Sequence, residues 1–279
     1  MSEPTFLLGT HQPSWFPRAG VPLFVSDSRL RARRTFPRAA APWCLDSSGF
    51  TQLQQHGRWT FTPQQYIDRA LRYSEEIGRL RWIAPMDHMC EWIVRHGGRL
   101  GRMVFAGTGL STEAHLNLTV DSVAQLRDLA RGRVHVIPVV QGDQQEDYER
   151  CALLYERAGF DLTREPVVGL GSVCRRQGTV EAHRIIQALH AHGIRNLHGF
   201  GVKTLGLLRY GHLLTSADSL AWSDDARRKQ RPACGQVHPR GAKNCANCLP
   251  YALSWRTRLL ARLAGQARQG DLFDYQEAA

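Results

Sequence analysis

The sequence predicts an α/β protein: a (β/α)8 TIM-like barrel over residues 1–222, followed at 223–279 by a segment of different composition packed on it. Two observations carry this reading. Eight short apolar, β-favouring runs recur through the first 217 residues, and helical patterns separate most of them from the third onward. Strands alternating with helices point to a parallel sheet, and eight of them to a closed one. An open doubly wound sheet is the rival arrangement.

The runs are "FLLGT" (6–10), "PLFVS" (22–26), "PWCL" (42–45) and "LRWIAP" (80–85), then "VHVIPVVQ" (134–141), "PVVGLG" (166–171), "NLHGFG" (196–201) and "HLLTSA" (212–217). The first units leave little room for helices. Thr62 as N-cap with Pro63 in the first helical position opens a helix that carries Tyr66, Ile67, Ala70 and Leu71 on one face. Further helical patterns cover 111–130, 144–158 and 179–192, the last stopped by Gly193. After residue 220 the chain turns polar and loop-like. A final amphipathic helix begins near Pro250 and presents Leu253, Leu259, Leu260 and Leu263.

Hydrophobic residues make up 43% of the 279, enough for a core, and no window approaches the roughly 18 apolar residues of a membrane span. The N-terminal stretch lacks a signal-peptide pattern, so a cytoplasmic protein without membrane contact is expected. The formal charge is +11, with arginine far outnumbering lysine. Guanidinium groups match phosphate oxygens, which favours a nucleic-acid partner. "RLRARRTFPR" (29–38) concentrates five arginines, although a solvated basic loop would read the same way.

The polar residues that end the runs form a pattern. Asp46 ends the third, Asp87 follows the fourth, and Gln141 with Gly142 ends the fifth; "GLGS" (169–172), "GFG" (199–201) and Asp218 end the last three. In a parallel barrel all these ends open on one face, where active sites lie. Singly, each aspartate reads equally as a helix N-cap and each glycine as a turn residue.

Four of the seven cysteines, Cys44, Cys90, Cys151 and Cys174, have no ligand spacing and are expected to be reduced and mostly buried. Cys234, His238, Cys245 and Cys248 read C-x3-H-x6-C-x2-C. Three thiolates and an imidazole suit tetrahedral Zn2+, and four protein ligands leave no open position, so a structural site is expected. A metal clip also explains how a segment poor in apolar residues holds a shape.

"LDSSGF" resembles the D-S-G-G-F/Y signature of the tRNA-guanine transglycosylases, zinc-bearing (β/α)8 enzymes that exchange guanine for a 7-deazaguanine. The agreement continues in order through "PMD", "VVQG", "VGLGS", "HGFGVK" and "SADS" to the C-terminal Cys/His cluster. "GTHQPSWF", "GLGSVCRR" and "GFGVKTLGLLRYGH" are most similar to the DpdA branch, associated with inserting 7-deazaguanines into DNA. Two departures stand out: Ser48 replaces the signature's first glycine, and the order of zinc ligands differs from that of the tRNA enzymes.

The resemblance implies Asp218 as a nucleophile on C1′ and Asp46 as general acid and base. It implies that Asp87 reads the N1–H and 2-amino edge of guanine. Gln141, Ser47 and the backbone of Gly169, Leu170 and Gly171 would complete the base pocket. Phe50 would stack on the base, or serve simply as a core aromatic. The implied partners are DNA, with tRNA as the alternative, and guanine and a 7-deazaguanine such as 7-cyano-7-deazaguanine. Arg175 and Arg176 would join the 29–38 stretch in holding phosphates. No redox cofactor is implied. The other functional classes left open are a catalytically silent nucleic-acid-binding relative and a zinc-dependent hydrolase.

Overall fold

A computed structural model describes residues 4–173, 179–238 and 241–277, with side chains described to residue 265. Cys174, Arg175 and Arg176 therefore lie outside the described residues. All eight apolar runs form strands: β1 (Thr5–Thr10), β2 (Leu23–Ser26), β3 (Trp43–Asp46), β4 (Leu80–Ile83), then, after a two-stranded antiparallel hairpin of β5 (Gly98–Leu100) and β6 (Met103–Phe105), β7 (Val139–Val140), β8 (Val168–Leu170), β9 (Leu197–Gly199) and β10 (Ser216–Ser219). The eight make one curled sheet of order β4-β3-β2-β1-β10-β9-β8-β7, every paired neighbour parallel.

The sheet's two end strands approach each other. Ile83 of β4 forms a parallel bridge with Val136, just before β7; its N–H donates to His135 O (2.8 Å) and its carbonyl accepts from Ile137 N–H (3.2 Å). Alternation along each strand divides the apolar residues between two faces. Phe6, Leu8, Leu23, Val25, Trp43 and Leu45 join the large core under the helices. Their neighbours Leu7, Phe24, Cys44, Trp82 and Ile137 make a separate small cluster on the concave face. Both faces being buried explains why the strands read as continuous apolar runs.

The helices are α1 (Gly49–His56), α2 (Pro63–Glu76), α3 (Trp92–His96), α4 (Thr112–Ala130), α5 (Gln145–Arg157), α6 (Val180–Ala191), α7 (Thr204–Tyr210), α8 (Ala221–Arg228) and α9 (Leu249–Glu277). As expected, only single 3-10 turns stand between β1, β2 and β3. Thr62 caps α2 in a full capping box with Gln65. Ser111 and Thr179 accept N–H groups in the same way at α4 and α6. The sequence did not foretell α1, α3, α7, α8 or the hairpin. Each helix among these is eight residues or shorter, so its apolar spacing repeats too few times to stand out. Among the described residues no helix is long and apolar enough to cross a membrane.

Candidate active site

The concave face ends in a cavity of about 510 Å³, on whose wall Asp46, Asp87, Asp218, Phe50 and Gly171 all stand. The residues that bring the acids there differ for each one. Asp46 closes β3 in register with Ser26 of β2. After Ser47 the chain turns sharply at Ser48, whose φ of 70° is a left-handed conformation that normally favours glycine. Here the hydroxyl holds the turn: Ser48 Oγ lies 2.6 Å from Ser26 Oγ and accepts the Ser28 N–H at 2.8 Å. Serine at this position thus takes a left-handed conformation and adds a tie to β2. At Gly49 the requirement is space, since a Cβ there would stand 3.2 Å from Asp87 Oδ1 and 3.3 Å from Trp59.

Burial raises the Asp46 carboxyl to about 6, with the charge of Asp218 pushing the same way and a Ser26 hydrogen bond opposing. Asp87 is raised further, to about 7, by burial first and then by Asp46 and Glu91. Behind Asp87 lies a chain of polar contacts. Gln141, fully buried, donates its amide N–H to Asp87 Oδ2, and its Oε1 stands 2.7 Å from Ser172 Oγ. Ser172 Oγ also reaches Glu91 Oε2 at 3.1 Å and accepts the Cys90 N–H at 2.9 Å.

Asp218 was expected at a strand end; β10 runs through it to Ser219, and it is 6% exposed. Its Oδ1 accepts the Gly201 N–H at 2.9 Å, and the buried His198 Nε2 stands 3.4 Å from the same oxygen. Of the remaining expected base-pocket residues, Ser47 and Leu170 are buried and, like Gly169 and Gln141, are not on the cavity wall. Gly169 is a packing glycine: a Cβ would fall 2.5 Å from the Phe200 ring. Phe50 packs edge-on against Phe105 while facing the cavity.

Sequence reasoning missed Glu91, Ser172, His198 and Phe200 as neighbours of the acids, although "GLGS" and "HGFG" contain three of them. It also did not weigh Asp27, which ends the second run as Asp46 ends the third. Asp27 is fully buried, receives both ends of the Arg69 guanidinium at 2.9 Å and the Tyr73 hydroxyl at 3.0 Å, and ties α2 to the sheet. Its bonding capacity is spent on structure.

The four C-terminal ligand residues come together as expected, with one donor atom from each lying within 4.8 Å of the others. Cys234 Sγ stands 3.0 Å from His238 Nε2 and 3.6 Å from Cys248 Sγ, and Cys245 Sγ is 3.5 Å from His238 Nε2. Ligands at about 2.0–2.3 Å from a tetrahedral metal are separated by roughly 3.5–3.8 Å, so this donor set fits one ion. Cys245 packs into the large core and Cys248 leads directly into α9, so the cluster joins the segment to the sheet's outer layer.

Arg29, Arg31, Arg33, Arg34 and Arg38 are all exposed. Arg38 is occupied by the Glu75 and Glu76 carbonyls at the end of α2. Arg72 pins the stretch by donating to the Arg33 and Arg34 carbonyls. His11, on the cavity wall, is lowered by burial first and next by the charge of Arg29, the first arginine of the stretch.

No curated protein matches the chain. The family model for DpdA, "DeoxyPurine in DNA protein A", matches residues 1–276, a span that takes in the three cavity aspartates and all four C-terminal ligands. With nearly its whole length matched, this chain belongs to the DpdA family.

Proposed function

We propose that the protein is a base-exchange transglycosylase that replaces guanine in DNA with a 7-deazaguanine, such as 7-cyano-7-deazaguanine, through a covalent aspartyl–sugar intermediate. The observation that carries the reading is the convergence of Asp46, Asp87 and Asp218 on one cavity of a DpdA-family chain. In this reading the sheet is a closed (β/α)8 barrel over 1–222, for which the bridge between Ile83 and Val136 speaks, and 223–279 is the zinc-clipped segment.

Asp218 attacks C1′: a carboxylate oxygen gains the bond to carbon while the C1′–N9 electron pair leaves with guanine. Asp46, with its carboxyl near 6, gives the departing base a proton and later takes one from N9 of the incoming base. The second base then takes the C1′ bond and the Asp218 carboxylate is released. Asp87 accepts the N1–H and 2-amino hydrogen bonds, and those donors favour its ionised form once a base is bound. Gln141 and Ser172 orient it from behind. A base within a duplex reaches this cavity only when flipped out, at a cost of a few kcal/mol. Zn2+ at Cys234, His238, Cys245 and Cys248 would fix the fold and take no part in the exchange.

The test is exchange of labelled guanine into separate DNA and tRNA substrates, with denaturing gels for the adduct. Label is expected in DNA; label entering tRNA alone would refute the DNA reading. Asp218→Asn should abolish both exchange and adduct, whereas Asp46→Asn should slow turnover with adduct still forming.

A further inference from the structure

His198 lies wholly buried on the concave face, ringed by Trp82, Phe200 and Phe24 at centroid distances of 4.8, 4.9 and 5.7 Å. A polar ring in so apolar a setting costs free energy unless both nitrogens are used. Nδ1 has a partner, the Ser216 hydroxyl at 2.9 Å. Nε2 makes no hydrogen bond of good geometry, yet it faces Asp218 Oδ1 at 3.4 Å. Parallel pairing of Ser216 with His198 creates this arrangement, because Asp218 then follows two residues on along the same face of β10.

We infer that His198 is a positioning residue for the nucleophile, held by Ser216 in the tautomer that carries its proton on Nε2. This rests on the reading of Asp218 as the nucleophile. The opposite tautomer would set the Nε2 lone pair against a carboxylate oxygen, which is repulsive. With the Ser216 hydroxyl donating to Nδ1, the Nε2 proton faces Asp218 instead. The contact is long, and a small shift of either group brings it within hydrogen-bond distance.

The two donors, Gly201 N–H and His198 Nε2–H, both address Oδ1. Among the described residues Oδ2 receives no hydrogen bond. Oδ2 is therefore the oxygen that bonds to C1′, and Oδ1 becomes the ester carbonyl, held by the Gly201 N–H and faced by His198 Nε2. His198 thus fixes which carboxylate oxygen faces the sugar and prevents rotation of the group away from it.

The experiment compares His198→Gln, His198→Leu, Ser216→Ala and Asp218→Asn for adduct formation rate, KM for free guanine and thermal stability. Glutamine places an amide N–H near the Nε2 position, whereas leucine fills the space without a donor. His198→Leu should slow adduct formation by roughly 10- to 100-fold, the effect of losing a hydrogen bond to a charged group, with the guanine KM unchanged. His198→Gln should recover most of that rate, and Ser216→Ala should lose several-fold with the fold intact. A wild-type rate in His198→Leu, or equal loss in the glutamine and leucine variants in step with lost stability, overturns the inference. If the histidine variants do not fold, a wild-type rate in Ser216→Ala does so instead. Adduct formed by Asp218→Asn would strike the underlying reading, a separate failure visible in the same gel.

Discussion

The cavity and the Cys/His cluster both gather chemistry-bearing side chains, but by opposite means. Asp46 and Asp218 are separated by most of the chain, and only strand pairing sets them on one wall. The cluster's ligands fall within fifteen residues, in a segment with few apolar side chains of its own. In the first region the fold holds the site. In the second, once a metal is bound, the site would hold the fold. The sheet has already met the cost of gathering the carboxylates, while a metal on the four C-terminal residues would supply shape to the loop that carries them.

Removing a ligand is the strongest way to sharpen that contrast. Structural zinc sites carry roughly 10 kcal/mol or more of apparent binding free energy, most of which goes into folding. Cys245→Ala and Cys248→Ala should lose the metal, about one zinc per chain by elemental analysis, together with soluble yield. Full metal retention in both variants would break the comparison.

The cavity predicts the reverse sign. Asp46 is raised to about 6 and Asp87 to about 7, so the folded chain holds protons there that an unfolded carboxyl, near 4, has given up. Stability from these groups is therefore complete below about pH 4 and lost as pH rises through 6 and 7. Asp46→Asn and Asp87→Asn, which remove the charge, should melt a few degrees higher than wild type at pH 8 while exchanging bases more slowly. The gain should vanish by about pH 4. Melting curves across pH decide it; equal melting at pH 8 would mean that burial does not strain these carboxylates.

Much of the fold could be read from the residues themselves. Strands buried on both faces leave unbroken apolar runs, and Thr62, Ser111 and Thr179 announce their helices by local hydrogen-bonding chemistry. The three cavity aspartates were visible as the ends of runs. What could not be read was how neighbouring strands line up. The proximity of His198 to Asp218 depends on the register of β9 against β10, and the Glu91–Ser172–Gln141 chain joins three separate loops. Asp27 shows the same limit in reverse. It ends a run just as Asp46 does, and only the arrival of Arg69 and Tyr73 from α2 separates a structural acid from a cavity acid.

The smallest expected effect concerns the turn after Asp46. Ser48→Gly removes left-handed strain but also the contacts to Ser26 and Ser28, so stability should stay within about 1 kcal/mol of wild type. Ser48→Ala keeps the strain and loses the contacts, and should be less stable than wild type by about 1–2 kcal/mol. Denaturant titration of the two variants measures the difference; an alanine variant as stable as wild type would show that the hydroxyl does not hold the turn.

Strand β1 has one neighbour that is made early and another that is made late. Its partner β10 pairs Thr5 with Ser216 and Leu8 with Ser219, and the Trp222 indole N–H then closes onto the Gly9 carbonyl at 2.8 Å. On the ribosome, β1 must wait for more than two hundred residues before this edge is covered. The strand that covers it is the one bearing Asp218. A nascent or truncated chain that stops short of β10 carries Asp46 and Asp87 but neither Asp218 nor the completed wall. Under the proposed function, assembly order would act as a safeguard: a chain that stops short of β10 lacks the carboxylate assigned to open the glycosidic bond.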